Sequence, residues 1–206
     1  MRSDERSYPS ELLREVVSAL CGLPGVGEHT ALQHALYLLS RPESETVRLA
    51  SALESFRRGV HLCKHCHSLS DGELCDVCLS PLRDRSLCLV VENVGTVMTI
   101  ERTGSYRGVY HVLGGLISPM NGVGPGELRI ESLLERVGSG EIKEVCFALS
   151  PTMEGDTTAY YLEKRLRPLG VRITMISRGV APGDALQYAD AMTLARSIEE
   201  RKEFSV

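Results

Sequence analysis

The sequence predicts an α + α/β chain in three parts: an N-terminal helical hairpin bundle, a small four-cysteine finger, and a C-terminal parallel sheet covered by helices. Three observations predict it. Apolar residues recur at helical spacing through residues 10–58; four cysteines follow as Cys63-x-x-Cys66, eight residues, Cys75-x-x-Cys78; and from residue 87 short apolar runs alternate with helical stretches. The boundaries expected from these changes of pattern are 1–60 for the helices, 61–82 for the finger, 83–175 for the α/β part and 176–206 for a C-terminal segment ending in a helix.

A chain of 206 residues can bury a real core. Its longest uninterrupted apolar run is five residues, as in LCLVV, too short for a membrane-spanning helix or a signal-peptide core, so a soluble, cytoplasmic protein without a membrane partner is expected. The net charge of −4 argues against a strongly basic DNA coat, because non-specific affinity comes from cations that neutralise phosphates. Arginine nevertheless supplies 19 of the 23 basic residues, and its planar fork suits bidentate phosphate contact.

The first helix is expected over residues 10–21, with Ser10 as its cap and Leu12, Leu13, Val16, Val17 and Leu20 as a core-facing stripe. Leu23-Pro24-Gly25-Val26-Gly27 then makes a tight turn into a second helix to about residue 39, with Ala31, Leu32, Ala35, Leu36 and Leu39 on its apolar face. A third helix spans about 43–58. Helix, Gly-Val-Gly turn, helix resembles the helix-hairpin-helix module, in which glycines let the backbone approach a phosphate and the free amides of the second helix donate to it. A plain helical hairpin is the alternative. A nucleotide-binding loop is rejected, since Glu28 stands where that motif needs a lysine.

The cysteine spacing is that of a closed, tetrahedral zinc site: each Cys-x-x-Cys turn presents two thiolates to one ion and leaves no position open for chemistry. Cys63, Cys66, Cys75 and Cys78 are therefore expected to hold one structural Zn²⁺. His65 and His67 lie inside the cluster and could substitute as ligands; with four cysteines available to fill the shell, they are expected instead to face solvent or to support the ligands. Cys21, Cys88 and Cys146 sit singly in apolar surroundings and read as small buried hydrophobes.

In the last part, residues 87–92, GVYHVL, EVCFAL and VRITMIS read as strands, with helices ending near Arg102 and running from Thr157 to Arg167. Ligands gather at the carboxyl ends of parallel strands, and there the acids fall: Glu92 after the first, Glu154 and Asp156 after the third. One glutamate at a strand end plus an acid-x-acid pair resembles the Toprim fold of topoisomerases and primases, whose carboxylates hold Mg²⁺. Such enzymes usually present Asp-x-Asp, whereas this chain has Glu154-Gly155-Asp156. Capping of a helix that begins near Asp156 is the competing role for the pair.

The order of parts and several strings, LPGVG, CxxC-x₈-CxxC, HVLGGLISPMNGVGPGELRI, SPTMEGDTTA and RGVAPGDALQYADAMTLARSIEER, are similar to the RecR family of bacterial recombination mediators, over nearly the whole chain. The resemblance implies a non-enzymatic DNA-repair factor that assembles as a dimeric or tetrameric ring around duplex or gapped DNA. It implies RecO and RecF as partners, and a role in loading RecA onto single-stranded DNA. It places Gly25, Gly27, His29 and Gln33 against DNA, and makes Glu92, Glu154 and Asp156 the acids that contact RecO or take Mg²⁺. Where the family commonly carries lysine and, four residues on, arginine, this chain has His29 and Gln33, each forfeiting one phosphate contact. Arg14, Arg41, Arg48, Arg57 and Arg58 are the cations that remain nearby. Pro182 stands where the family often has glycine. Two rival classes remain: a Mg²⁺-dependent Toprim nuclease assisted by Lys143 or Lys164, and a zinc-stabilised adaptor that contacts only protein.

Overall fold

The computed structural model describes residues 8–177. The C-terminal segment expected over 176–206, with Pro182, therefore lies almost entirely outside the described residues. The chain divides after Val60 into two compact units.

The first unit holds α1 (Glu11–Cys21), α2 (Glu28–Ser40) and α3 (Glu43–Gly59). Val17 of α1 packs on Ala31 and Ala35 of α2, with Leu13, Leu20, Val26 and Leu32 half-buried around them. The small alanines let the two helices approach closely, and Gly25 at φ 79 turns the chain between them in the left-handed region that favours glycine. The expected stripes are only partly inside. Leu12 is 72% exposed and Leu39 is 79% exposed, and Val16 and Leu36 are also exposed. The periodicity identifies the helices correctly but describes a face wider than one small unit can cover. α3 carries no buried residue at all, with Val47, Leu49, Leu53 and Phe56 exposed. Ser10 occupies the N-cap of α1 but makes no side-chain capping bond, and Cys21 is exposed rather than buried because it closes the last turn of α1 beyond the packed alanines.

The second unit begins with a two-residue ribbon, β1 (His61–Leu62) antiparallel to β2 (Leu69–Ser70), and a single turn of helix, α4 (Asp76–Leu79). A four-stranded parallel sheet follows. Its strands are β3 (Asp84–Val91), β4 (Gly108–Val112), β5 (Glu144–Ala148) and β6 (Arg172–Met175), in the order β4-β3-β5-β6. Side chains alternate across the sheet, and both faces are covered, which is why β3 reads as one continuous apolar run. Cys88 and Val90 face the larger core with α6 (Ile130–Gly138) and α7 (Met153–Leu166), which supply Leu133, Val137, Leu162 and Leu166. Leu89 and Val91 face the smaller core with Tyr110, Val112 and Val97 of α5 (Val94–Thr103). Among the lone cysteines of this unit, Cys88 is buried and Cys146 half-buried.

One boundary differs with a consequence for the acids. α7 begins at Met153 rather than Thr157, because Thr152 caps it, its hydroxyl accepting from Gly155 N at 3.2 Å. Gly155 sits so close to the preceding strand end that a Cβ there would lie 1.9 Å from Ser150 O. No helix among the described residues is long and apolar enough to cross a membrane.

Candidate metal centre and nucleic-acid interface

Two tight turns build the cysteine cluster. His67 N donates to Cys63 O at 2.9 Å in the first turn, and Leu79 N to Cys75 O at 3.0 Å in the second, each folding its Cys-x-x-Cys so that its two sulfurs come together. Cys63 N donating to Ser68 O closes the first turn further, and Lys64 N donating to Glu73 O ties it to the segment that enters the second. All four cysteines are buried, and one ligand atom from each lies within 4.8 Å of the others. The sulfurs are free thiols, not disulfides. Their crowding creates an electrostatic problem: hydrogen bonding with Cys75 pushes the Cys66 thiol up, and the same contact pulls Cys75 down, so the cluster cannot ionise as a whole by itself. A dication at its centre removes that conflict, since the thiolate is the binding form. Four soft ligands, with no fifth donor among the described residues, fit structural zinc, which would supply cross-linking of the finger and no open coordination position.

The finger is docked on the sheet. Val112 N at the end of β4 donates to Cys66 O at 2.8 Å, and Arg85 Nη2 donates to Cys78 O at 3.1 Å. Of the two histidines, His65 is exposed. His67, at φ 60 the one non-glycine residue with positive φ among the described residues, turns inward. Its ring meets that of His111 edge to face at 5.2 Å, and its Nε2 lies 2.8 Å from Ser132 Oγ. Burial lowers the pKa of both imidazoles, that of His111 to about 3.

The acids occupy the carboxyl ends of the strands as expected, but they are not gathered into one cluster; the four cysteines are the sole metal-compatible group among the described residues. Glu92 Oε1 accepts from Ser150 Oγ at 2.9 Å and from Asn93 Nδ2 at 3.1 Å, while Oε2 is buried without a hydrogen-bond partner. Glu154 and Asp156 lie in the first turn of α7, both exposed, where negative charge is favoured by the helix dipole. Thr152, not either acid, supplies the cap.

In the first unit Gly25, Gly27, His29 and Gln33 are all exposed. Gly27 occupies the N-cap of α2 with no side chain to bond the first-turn amides, and its carbonyl accepts from Ala31 N at 2.9 Å. His29 and Gln33 are four residues apart and share one face of α2. Glu28, which would repel a phosphate there, accepts from the Tyr8 hydroxyl at 2.8 Å. Of the neighbouring arginines, Arg14 pairs with Glu11, Arg41 with Glu45 and Arg58 with Glu54. Arg48 and Arg57 have no acidic partner among the described residues. Sequence reasoning missed Tyr8, Ser132, Ser150 and His111. Ser150 had a signal, since it opens the string that carries the acid pair; a tertiary partner such as Ser132 leaves none.

Four family models cover the chain in order: the RecR helix-hairpin-helix at residues 13–57, the RecR four-cysteine zinc finger domain at 60–80, the Toprim domain at 86–177 and the RecR C-terminal region at 180–202. The chain is 55% identical over 199 residues to recombination protein RecR of Parabacteroides distasonis, covering 97% of this chain and 96% of that one. It is 52% identical over 200 residues to that of Porphyromonas gingivalis, covering 97% of each. It is 48% identical over 197 residues to that of Flavobacterium psychrophilum, covering 96% of each. With its helical hairpin, four-cysteine finger and parallel sheet in the order of the matched family models, this chain belongs to the RecR family of recombination proteins.

Proposed function

We propose that this chain is a non-enzymatic, cytoplasmic recombination mediator that binds DNA through the turn into α2, self-associates through its first unit, and presents the acids of its α/β unit to RecO. RecF is the further partner, and loading of RecA onto single strands is the outcome the family resemblance implies. The observation that carries this reading is the arrangement of the acids. Two exposed carboxylates on a helix, with Glu92 apart from them, make a contact surface for a basic partner better than a clamp for the metal of a nuclease. Mg²⁺ would need Glu154 and Asp156 to turn toward Glu92, whose buried Oε2 is the one atom prepared for it.

Self-association is supported by the first unit. Leu12, Val16, Leu36 and Leu39 border an open apolar groove of about 720 Å³, a surface a second copy would cover and a solitary chain would leave wet. A dimeric or tetrameric ring is the closed-symmetry form of such an assembly. DNA contact is supported by the exposed start of α2, whose N-cap glycine leaves the first-turn amides without a side-chain partner, and by Arg48 and Arg57. Domain bounds of 1–60, 61–82, 83–175 and 176–206 complete the proposal.

The test is fluorescence anisotropy of labelled duplex DNA titrated with zinc-loaded protein at low and physiological salt. Salt-sensitive binding supports a clamp that engages DNA itself. Absence of binding at both salts, restored by RecO, assigns DNA engagement to the partner. Mg²⁺-dependent nicking of plasmid would refute the non-enzymatic reading.

A further inference from the structure

We propose that His67 is a positioning residue that couples metal binding at the four-cysteine cluster to the glycine-rich loop beside Glu92. Residues 114–128 leave the sheet and return to it at one place: Arg129 N donates to Leu113 O at 3.0 Å, closing the stem of the loop. The Arg129 guanidinium lies over the backbone of Gly114, where a Cβ would be 2.5 Å from Nη1, and Gly114 N donates to Glu92 O at 3.0 Å. Whatever fixes Arg129 therefore fixes the backbone against which Glu92 rests.

Arg129 O is held from two sides. His111 Nε2 donates to it at 2.7 Å and Ser132 Oγ donates to it at 3.1 Å. Arg136 Nη1 donates to His111 Nδ1 at 3.2 Å, which fixes the His111 tautomer with its proton on Nε2. Since the Ser132 hydroxyl proton is directed to Arg129 O, its oxygen accepts, and His67 Nε2 is the donor across the 2.8 Å contact. The bonds then run in one sense, from the His67 ring through Ser132 to the carbonyl at the loop's return point. His67 can reach Ser132 because the first Cys-x-x-Cys turn holds it at positive φ, a conformation unfavourable for an L residue and maintained only while the turn is closed. His67 N to Cys63 O and Cys63 N to Ser68 O close the turn, and a metal on Cys63 and Cys66 would add a cross-link that keeps it closed and so keeps the ring in place. The coupling rests on the reading of Glu92 as a contact site only for its biological use, not for its physics.

The experiment is a two-by-two cycle of backbone hydrogen exchange, read by mass spectrometry on peptides covering 113–129, in zinc-loaded and chelator-stripped protein, for wild type and for His67→Asn. Asparagine tolerates positive φ but cannot span to Ser132. Stripping is expected to speed exchange in these peptides about ten-fold or more in wild type. In His67→Asn, which should retain one zinc per chain, exchange is expected to be fast already, and stripping to change it by less than about two-fold. Equal effects of stripping in both proteins, or no effect in wild type, overturn the proposal. If His67→Asn does not fold, the same cycle is run on Ser132→Ala, which leaves the finger's own residues untouched, with the same two criteria. No partner or Mg²⁺ enters the measurement, so its failure is separable from failure of the Glu92 reading.

Discussion

Replacing the buried His111 imidazole by a group that cannot be protonated should remove a defined part of the protein's acid sensitivity. The ring is fully buried, and burial is the largest cause holding its pKa near 3 against an ordinary value of 6.5. Its neutral form is the one the fold requires: Nε2 donates to a carbonyl while Nδ1 accepts from Arg136. The unfolded chain takes up a proton below about pH 6.5 and the folded chain does not, so the stability contributed by this group is fully present above that pH and is lost as pH falls toward about 3. At about 1.4 kcal/mol per pH unit, the loss is about 2 kcal/mol by pH 5 and approaches about 5 kcal/mol at the acid limit. His111→Gln keeps a donor for Arg129 O and an acceptor for Arg136 but has nothing to titrate. Urea unfolding of zinc-loaded protein is followed by circular dichroism, since the chain has no tryptophan. Between about pH 7.5 and about pH 5, wild type should lose about 2 kcal/mol more than the variant. Any acid effect common to both, including weakened zinc binding, cancels in that difference. Equal losses would refute the claim that His111 is held neutral.

Gly155→Ala should cost about 3 kcal/mol or more, because its Cβ would strike the backbone oxygen of Ser150 at 1.9 Å and force α7 away from β5; thermal unfolding checks it. Metal analysis of protein prepared without chelator should give one zinc per chain, and Cys75→Ala should reduce it below about half an equivalent. The double substitution His29→Lys with Gln33→Arg should tighten duplex DNA binding and steepen the slope of log K against log salt by about 2, measured by anisotropy. Glu92→Ala and Asp156→Ala should leave the circular dichroism spectrum unchanged and weaken RecO binding in a pull-down or by calorimetry; unchanged affinity would end the partner reading of the acids.

Much of the fold is legible in the sequence for reasons that are local. The cysteine turns need only residues within three positions of one another, and β3 announces its burial on both faces by an unbroken apolar run. The acids are found because Glu92 follows β3 directly and the Glu154–Asp156 pair opens the helix after β5. What escapes is what depends on distant partners. The early start of α7 hides behind Gly155, a poor helix former that is required there by the nearness of Ser150 O. His67 carries the spacing of a bystander, and its role emerges only when Ser132, sixty-five positions away, meets it. The apolar stripes of α1 and α2 read as interior because periodicity reports that a face is apolar, not that this chain alone covers it.

The third helix of the first unit stands furthest from self-sufficiency. Most helical stability comes from packing an apolar face, and seventeen residues of helix with nothing buried draw little of it from the described residues. Under the self-association proposed above, its order becomes a mass-action quantity: dilution should melt it and concentration should restore it. On that proposal, a melting temperature for the first unit has meaning only beside the protomer concentration at which it was taken.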